Sequence, residues 1–407
     1  MTGTNPHLSK AFDQPDAESL SQKTWDVIVM GGGPAGSTVA TLLARQKYRV
    51  LLVDRARFPR EKVCGDILLP DTMRSLTRLG LHERITAAAH HLGQIKGVST
   101  AGTTFAIAGE YYSLKRVEFD YLLLQESVNA GAICSCGDGV NAINSDKNCA
   151  TVTLRTGTSL SASVIVIATG ADASLARQSG AAEQSKVNAV ALRCYVHSEH
   201  VIEEGVLCYH RNIAPGYAWV FPLGNRLYNV GCGVTLSDHR QFHLKQMFET
   251  FVSEYEPARE LLEANGTRTH LIGAAIRFGL LHPEQSVNGR IIAIGETIGT
   301  TLPFTGEGIG TAMRSAELAA DCISSALKSG SSSDLREFPS RLKEFTPLFT
   351  GYTAAQRWLR YPFFNDLAAR RIKASPYLQR LCSGVIAGEI SPREIYSIGG
   401  ILKSFWK

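Results

Sequence analysis

Short apolar runs alternate with a helix-like stretch near the start of the chain, and this pattern predicts a parallel sheet. Residues 26–30 and 50–54 are strand-like runs, and residues 34–45 between them have helical periodicity. Two later apolar runs, at 164–168 and 290–294, have the same character and are each followed closely by glycine. Strands joined by a helical crossover pair in parallel. We therefore expect one parallel sheet assembled from segments that lie far apart in the sequence.

A different rhythm in the middle of the chain predicts a second, antiparallel sheet. Apolar and polar residues alternate there along five segments separated by turn residues, namely 189–197, 204–211, 216–222, 226–236 and 269–279. Such alternation is typical of strands with one buried face. Residues 311–327 have helical periodicity, and beyond the Ser/Gly loop at 330–333 the chain is expected to be mainly helical.

Composition and charge narrow the function classes. The 407 residues are 44% hydrophobic and 19% charged, as in ordinary globular proteins, and no apolar run approaches the length that crosses a bilayer. The first 23 residues lack the apolar core of a signal peptide, so we expect a loose tail there. Nine cysteines do not suggest a secreted disulfide framework, which favours a reducing, cytoplasmic location. The net charge of +5 is too small to predict nucleic-acid binding.

Positive charge is concentrated at the C-terminus. Residues 356–407 contain nine Lys or Arg against three Asp or Glu. Two interpretations stay open. The segment is either a solvated helical face or a surface for an anionic partner, such as a phospholipid membrane or a pyrophosphate-bearing substrate.

Residues 31–36 read Gly-Gly-Gly-Pro-Ala-Gly and fit the dinucleotide fingerprint G-x-G-x-x-G. Gly31 permits the tight turn, Gly33 lets the backbone approach a pyrophosphate, and Gly36 allows close packing of helix on strand. The motif opens a predicted helix, whose N–H groups would hold phosphate charge. Asp54 ends the next predicted strand, where it would accept a hydrogen bond from a ribose hydroxyl. Dinucleotide binding is therefore predicted, with a structural glycine turn as the alternative.

A second glycine-rich segment lies late in the chain. Residues 295–299 (Gly-Glu-Thr-Ile-Gly) follow a predicted strand, and residues 303–310 (Pro-Phe-Thr-Gly-Glu-Gly-Ile-Gly) precede a predicted helix. Free N–H groups at a helix start suit a phosphate or an electron-rich ring edge. A helix-capping turn is the alternative.

Three aromatic residues occupy alternate positions of one predicted strand. Tyr217, Trp219 and Phe221 therefore share one face of the sheet. Such a face is an apolar wall with polar tips on Tyr and Trp. It either packs in the core or lines a pocket suited to a hydrophobic chain.

Together these motifs resemble the flavoproteins of the p-hydroxybenzoate hydroxylase fold and, within them, the geranylgeranyl reductase family. The resemblance extends from Trp25 to the C-terminus, and its segments are 31–36 with Asp54, 58–66, 116–120, 217–222 and 295–310. It implies an α/β fold class, with a Rossmann-like FAD-binding domain on the parallel sheet, an inserted antiparallel-sheet substrate domain and a C-terminal helical segment. The implied boundaries are a flexible tail at 1–23, FAD-binding segments at 24–90, 111–180 and 286–330, substrate-domain segments at 91–110 and 181–285, and a helical region at 331–407.

The resemblance also implies the cofactor, FAD, and the residues that hold it. The fingerprint would bind the pyrophosphate, Asp54 the adenosine ribose, and the late glycine segment the ribityl chain and the isoalloxazine ring. The implied cofactor-binding residues are Gly31, Gly33, Pro34, Ala35, Gly36, Asp54, Arg55, Cys64, Gly65, Arg116, Gly170, Gly295, Glu296, Pro303, Thr305, Gly306, Glu307, Gly308 and Ile309. Catalytic roles are implied for Cys64, Tyr217 and Trp219, and substrate contacts for Tyr217, Trp219 and Phe221.

Three positions in this set depart from or qualify the family pattern. Glu296 stands where family members usually have Asp, which adds a methylene beside the ribityl chain. Tyr217 stands where related halogenases carry Trp, which counts against a halogenase. Cys64 is either a proton donor or redox group near the flavin, or a small buried hydrophobic residue. No spacing of His, Cys or acidic residues predicts a metal site.

The sequence contains one intact fingerprint, so a separate NAD(P)H domain is not predicted. Electrons would come from NADPH in transient contact or from another donor. By resemblance, the expected reaction is reduction of carbon–carbon double bonds of an isoprenoid, geranylgeranyl-type substrate. A flavin monooxygenase or halogenase acting on an aromatic or natural-product scaffold, and a flavin-bearing binding protein without turnover, are the alternatives. Peripheral membrane contact would run through the basic C-terminal helices, and the oligomeric state is not indicated.

Overall fold

The computed structural model describes residues 15, 17–182, 187–236, 243–264, 266–280, 282–359 and 361–394. Its strands are β1 (Trp25–Met30), β2 (Val50–Asp54), β3 (Ile67–Leu68), β4 (His90–Val98), β5 (Thr104–Ser113), β6 (Ile133–Cys136), β7 (Val140–Ser145), β8 (Ala150–Leu154), β9 (Ser159–Ile167), β10 (Ala189–His197), β11 (Gly205–Cys208), β12 (Gly216–Pro222), β13 (Leu227–Thr235), β14 (Thr267–Arg268), β15 (Ile272–Ile276), β16 (Val287–Asn288) and β17 (Ile291–Ala293). Its α-helices are α1 (Ala17–Ser21), α2 (Pro34–Arg45), α3 (Pro70–Arg78), α4 (His82–Ala88), α5 (Arg116–Asn129), α6 (Ser174–Gln178), α7 (Leu244–Glu254), α8 (Glu256–Glu263), α9 (Ile309–Ser329), α10 (Phe338–Arg341), α11 (Thr346–Leu359), α12 (Pro362–Ala374) and α13 (Pro376–Ile386). The predicted α/β fold class is confirmed.

The first sheet is the predicted parallel one. Its order is β17-β9-β1-β2-β6, with β16 antiparallel on one edge and the β7–β8 hairpin paired to the first half of β9. The apolar runs form these strands because both faces of a parallel sheet are covered, so nearly every position is buried. Helix α2 begins and ends at the predicted residues and packs on α5 and α9.

The second sheet is mainly antiparallel, as predicted. Its order is β14-β10-β13-β12-β11-β4-β5-β3, with β15 also paired to β10, and β11 and β4 run parallel. Strands β10 and β12 have the predicted bounds, whereas the run at 269–279 divides into the end of a short connection and β15. The sheet also takes in β3, which the sequence assigned to the FAD-binding segments. The domain boundaries themselves stay predictions.

The two faces of the second sheet have different partners, and this positions the site. One face carries Val196, Val206 and Val220, which pack with residues of α7 and α8 such as Phe248. Trp219 lies on the opposite face, where it clusters with other aromatic and small residues. The first face is closed by helices, so the second face is the one available to form a cavity.

A short helix lies at the end of the N-terminal tail, and the C-terminal region is helical. The flexible tail predicted for 1–23 is corrected at its end, because Ala17–Ser21 form a helix and Leu20 is only 1% exposed. Trp25 stabilises the end of this helix by donating a hydrogen bond of 3.3 Å from Nε1 to the Leu20 carbonyl. The predicted C-terminal helices are present as α10–α13, and the part of that prediction covering 395–407 lies outside the described residues. Among the helices described, none is long and apolar enough to cross a membrane.

Candidate active site

A cavity of about 1390 Å³ is lined by residues of both sheets. It contains most of the residues singled out from the sequence: Gly31, Gly33, Pro34, Ala35, Asp54, Arg55, Cys64, Gly65, Arg116, Gly170, Tyr217, Trp219, Phe221, Gly295, Glu296, Thr305, Gly306, Glu307, Gly308 and Ile309. Gly36 and Pro303 are not in the lining. The structure therefore brings segments from six parts of the chain to one place, while the individual roles stay predictions.

The fingerprint turn can be built only from glycine at two positions. Gly31 has φ +105°, and a Cβ there would lie 2.4 Å from the Ala168 carbonyl oxygen of the neighbouring strand. A Cβ at Gly36 would lie 1.8 Å from the Gly31 carbonyl oxygen. Gly36 thus acts from outside the cavity lining, because it lets α2 pack directly on the turn. Gly33 caps α2 without a side-chain hydrogen bond, which leaves the first N–H groups to a ligand.

Asp54 ties the second strand to this turn. Its Oδ2 accepts from the Gly32 N–H at 2.7 Å, and its Oδ1 accepts from the Ala56 N–H at 2.8 Å. Arg60 lies beside it, with Nε 3.7 Å from Oδ2. The carboxylate is fixed at the cavity wall, where a ribose hydroxyl could donate to its remaining acceptor positions.

Arg116 and Cys64 are in contact at the cavity wall. The Arg116 guanidinium is buried and binds Asp120 through two hydrogen bonds, of 2.7 and 2.9 Å. It is also hydrogen-bonded to the half-buried Cys64 side chain. Burial raises the pKa of the Cys64 thiol, although the positive charge of Arg116 acts in the opposite direction. Cys64 is therefore a protonated thiol at neutral pH, which suits a group that holds a proton.

Asp66 forms a buried hydrogen-bond network that sequence reasoning did not assemble. Its Oδ2 accepts from the Tyr195 hydroxyl and from Asn229 Nδ2, each at 2.8 Å, and its Oδ1 accepts from the Arg116 N–H at 3.1 Å. Burial raises the pKa of Asp66 to about 6, against these hydrogen bonds, which lower it. The partners come from three distant segments. The one feature of the sequence that could have pointed to this network is Asn229, a polar residue inside the mainly apolar strand β13.

The same network connects the aromatic wall to the Cys64 loop. Asn229 donates from Nδ2 to the Cys64 carbonyl at 2.7 Å and accepts from Trp219 Nε1 at 2.9 Å. Trp219 is therefore held in one orientation by a buried side chain that also holds the loop carrying Cys64. Asn229 therefore fixes the position of Trp219, in segment 217–222, relative to Cys64, in segment 58–66.

Asp66 is expected to impose a pH dependence on stability. The folded protein retains a proton up to about pH 6 that the unfolded chain loses near the usual value of 3.8, so the free energy of unfolding falls as pH rises through this window. The size is on the order of 2–3 kcal/mol. Asp66→Asn should flatten this part of the profile, measured by urea unfolding at several pH values between 4 and 7. Asp321→Asn, an exposed carboxyl on α9, is the control. Parallel profiles for wild type and Asp66→Asn would contradict this account.

The late glycine segment closes the other side of the cavity. Glu296 accepts a hydrogen bond from the backbone N–H of Arg277 at 3.3 Å and lies 3.8 Å from Lys62 Nζ, so the longer side chain has one backbone and one cationic partner. Glu307 is hydrogen-bonded to the Asp71 carboxyl, and burial raises the pKa of both groups. The pair therefore holds a proton at the start of α9, where the mutual repulsion of two carboxylates would otherwise be unfavourable.

The aromatic wall is longer than the sequence predicted. Its members form a row of neighbouring rings, with centroid distances of 5.8, 6.0, 6.0 and 6.4 Å, in the order Phe304, Tyr209, Tyr217, Trp219 and Phe221. The predicted common face of the three β12 rings is confirmed, and all three are in the cavity lining. The Tyr217 hydroxyl donates to the Thr305 carbonyl and so joins the wall to the late glycine segment.

The C-terminal helices also contribute to the cavity. Leu348, Tyr352 and Gln356 of α11 line it, together with Val385 and Ile386 of α13. The sequence showed only helical periodicity in this region, because periodicity does not say which cavity a helix face meets. All of these residues except Gln356 add to the apolar part of the lining.

The fold and the cavity define a dinucleotide-binding flavoprotein, and comparisons with known proteins agree. The FAD binding domain family matches residues 24–345, and the chain belongs to this family. It is similar to menaquinone reductase of Mycolicibacterium smegmatis, at 30% identity over 322 residues, or 74% of this chain and 76% of that protein. It is similar to digeranylgeranylglycerophospholipid reductase of Methanocella arvoryzae, at 26% identity over 79% of this chain and 83% of that protein. A solved structure of a geranylgeranyl bacteriochlorophyll reductase-like protein from Thermoplasma acidophilum has a TM-score of 0.76 and 19% identity, covering 95% of this chain and 96% of that one.

The residues present fit FAD. The Gly31–Gly36 contact provides a backbone cradle that a Cβ would fill, at the start of a helix with free N–H groups. Asp54 would hold the adenosine ribose, and the segment from Thr305 to Ile309, which Tyr217 joins to the aromatic wall, would hold the other end of the cofactor. The chain is therefore an FAD-dependent oxidoreductase.

Proposed function

We propose that this chain reduces carbon–carbon double bonds of an isoprenoid substrate with electrons from FAD. The observation that carries the proposal is the aromatic wall, which lines the same cavity as the glycine segments expected to bind FAD. An isoprenoid chain is apolar and needs such a lining to be desolvated. The names of two relatives support the substrate class, since menaquinone and digeranylgeranylglycerophospholipids both carry isoprenoid chains.

The reaction adds a hydride to one carbon of a double bond and a proton to the other. FAD, when bound in its reduced form, supplies the hydride. NADPH or another donor supplies the electrons by transient contact. The residues of this chain position the substrate and exclude water from it.

An isolated double bond has no carbonyl to accept negative charge, so in this proposal proton transfer runs ahead of hydride transfer and positive charge develops on the carbon that receives the hydride. The ring faces of Tyr217 and Trp219 stabilise such charge through their quadrupoles. Cys64 lines the same cavity, and its side chain is hydrogen-bonded to Arg116. It is therefore the proton donor we propose, with Arg116 fixing the orientation of the thiol.

An anaerobic reaction tests the proposed function. Purified holoprotein is reduced with dithionite, excess reductant is removed, and the protein is incubated without oxygen with geranylgeranyl diphosphate or a geranylgeranyl lipid. The products are weighed by mass spectrometry. The expected product has gained two hydrogen atoms for each reduced bond. A product that has gained oxygen or halogen, and forms only when oxygen is admitted, would overturn the proposal in favour of a monooxygenase or halogenase.

A further inference from the structure

The corner between α11 and α12 exposes a cluster of large apolar side chains. Of the large hydrophobic side chains exposed in the described ranges, five lie within ten residues of each other: Trp358 (51%), Tyr361 (51%), Phe363 (71%), Phe364 (38%) and Leu367 (47%). We call these five residues the aromatic corner. Trp358 and Phe363 both pack edge-on against Phe364, with centroid distances of 5.3 and 5.4 Å. Trp358, Phe363 and Phe364 thus form one contiguous surface, with Tyr361 and Leu367 exposed nearby in the chain, and contiguous exposed apolar surface marks an interaction site.

Helix α12 has the reverse of the usual amphipathic orientation. Its polar residues Asn365 and Asp366 are buried, at 6% and 8% exposure, while the side chain of Phe363 is exposed to solvent. Asp366 Oδ1 accepts from the Ala101 N–H at 2.7 Å and from the Thr100 hydroxyl at 2.8 Å, in the turn between β4 and β5. These buried hydrogen bonds fix the rotation of the helix, so the apolar side is held outward by the fold itself.

Basic residues surround the apolar side. Arg370 and Arg371 follow Leu367 by three and four residues, which places them on the same side of α12. Arg357 and Lys373 are exposed on the two helices that form the corner. Trp and Tyr are enriched at membrane interfaces, and nearby Lys and Arg attract anionic headgroups. This combination selects an anionic lipid surface over a purely apolar protein partner.

We propose that the aromatic corner docks the protein on the surface of a bilayer that contains anionic phospholipid. Phe363, Phe364, Leu367 and Trp358 would enter the headgroup region, and the flanking arginines would contact phosphate. Neither contact requires catalysis, so docking is independent of the proposed reaction.

The corner is also connected to the cavity. Helix α11 lines the cavity through Tyr352 and Gln356, and Trp358 follows only two residues later, a rise of about 3 Å along the helix. Docking would therefore bring the lipid surface close to the cavity. The inference that the bilayer delivers the substrate rests on the proposed function, whereas the docking itself does not.

Vesicle flotation with the full-length, FAD-loaded protein tests the docking. We expect the protein to float with vesicles of phosphatidylcholine and phosphatidylglycerol, and much less with phosphatidylcholine alone. Trp358→Ser with Phe363→Ser should weaken binding about tenfold or more through lost apolar burial. Arg370→Gln with Lys373→Gln should weaken it about fivefold per charge and reduce its salt dependence. Val201→Ser, which changes an exposed apolar residue (59%) outside the corner, is the matched control and should bind like wild type.

Two results would overturn the docking proposal. One is equal flotation of wild type, the Ser variant and the Val201→Ser control. The other is a dimer by light scattering that the Ser variant, but not the control, converts to a monomer, since the corner would then contact a second copy. The proposed function is measured separately, with detergent-solubilised substrate and no vesicles, so failure of one test does not obscure the other.

Discussion

Gly36→Ala is expected to weaken FAD binding about a hundredfold. The added Cβ would lie 1.8 Å from the Gly31 carbonyl oxygen, which is backbone and cannot turn away, so the start of α2 must shift from the fingerprint turn. The shift removes the N–H groups from the pyrophosphate. Because hydrogen bonds to charged groups contribute about 1.5 kcal/mol or more each, loss of two weakens FAD binding by a factor of the order of 100. Flavin content after purification and FAD titration of the apoprotein measure this effect.

Gly93→Ala is the matched control for this substitution. A Cβ at Gly93 meets nothing within 4 Å, and the backbone there is not in the left-handed region. Circular dichroism of both variants separates loss of FAD from loss of the fold. A folded Gly36→Ala protein that binds FAD like the Gly93→Ala protein would show that the turn does not serve the cofactor.

Trp219→Ala is expected to retain FAD and lose most of the reductase activity. The Trp219 ring lies between Tyr217 and Phe221 in the aromatic wall. Its Nε1 donates a hydrogen bond to Asn229, which itself donates one to the Cys64 carbonyl. Loss of a desolvated aromatic face opposite a developing positive charge, at about 2 kcal/mol, lowers the rate roughly thirtyfold. The rate of substrate reduction in a single turnover, at equal flavin content, measures this effect.

Tyr217→Phe tests the wall from a second position. It keeps the ring but removes the hydroxyl that donates to the Thr305 carbonyl, so we expect a loss of about fivefold, as for one hydrogen bond. Tyr228→Phe is the matched control, because its hydroxyl also donates to a backbone carbonyl, that of His200, but on the closed face of the sheet. If both Trp219→Ala and Tyr217→Phe reduced substrate at the wild-type rate with FAD bound, the wall would have no part in the reaction.

The parallel sheet could be predicted from the sequence because each of its main strands has a recognisable local pattern. A strand buried on both faces is a short apolar run, and the runs at β1 and β2 are each bounded by polar or glycine residues. Helix α2 was predicted residue by residue because Pro34 marks its start. The aromatic face of β12 followed from the two-residue period of a strand.

The network around Asp66 could not be predicted in the same way. Asp66, Tyr195 and Asn229 belong to three elements, and nothing local to any of them specifies the other two. The C-terminal helices present the same difficulty. Their periodicity predicts helices, but the outward side of α12 is apolar and the buried side carries Asp366, so the usual rule for which side faces the core gives the wrong orientation.

The most direct test of the central claim is the return of oxidised flavin without oxygen. Holoprotein is reduced, excess reductant is removed, and an isoprenoid substrate is added anaerobically while the visible absorption of oxidised flavin is recorded. The account predicts that the absorption returns at a rate that depends on substrate concentration, with one double bond reduced for each flavin oxidised. Flavin that stays reduced with every isoprenoid, and reoxidises only when oxygen is admitted, would contradict it.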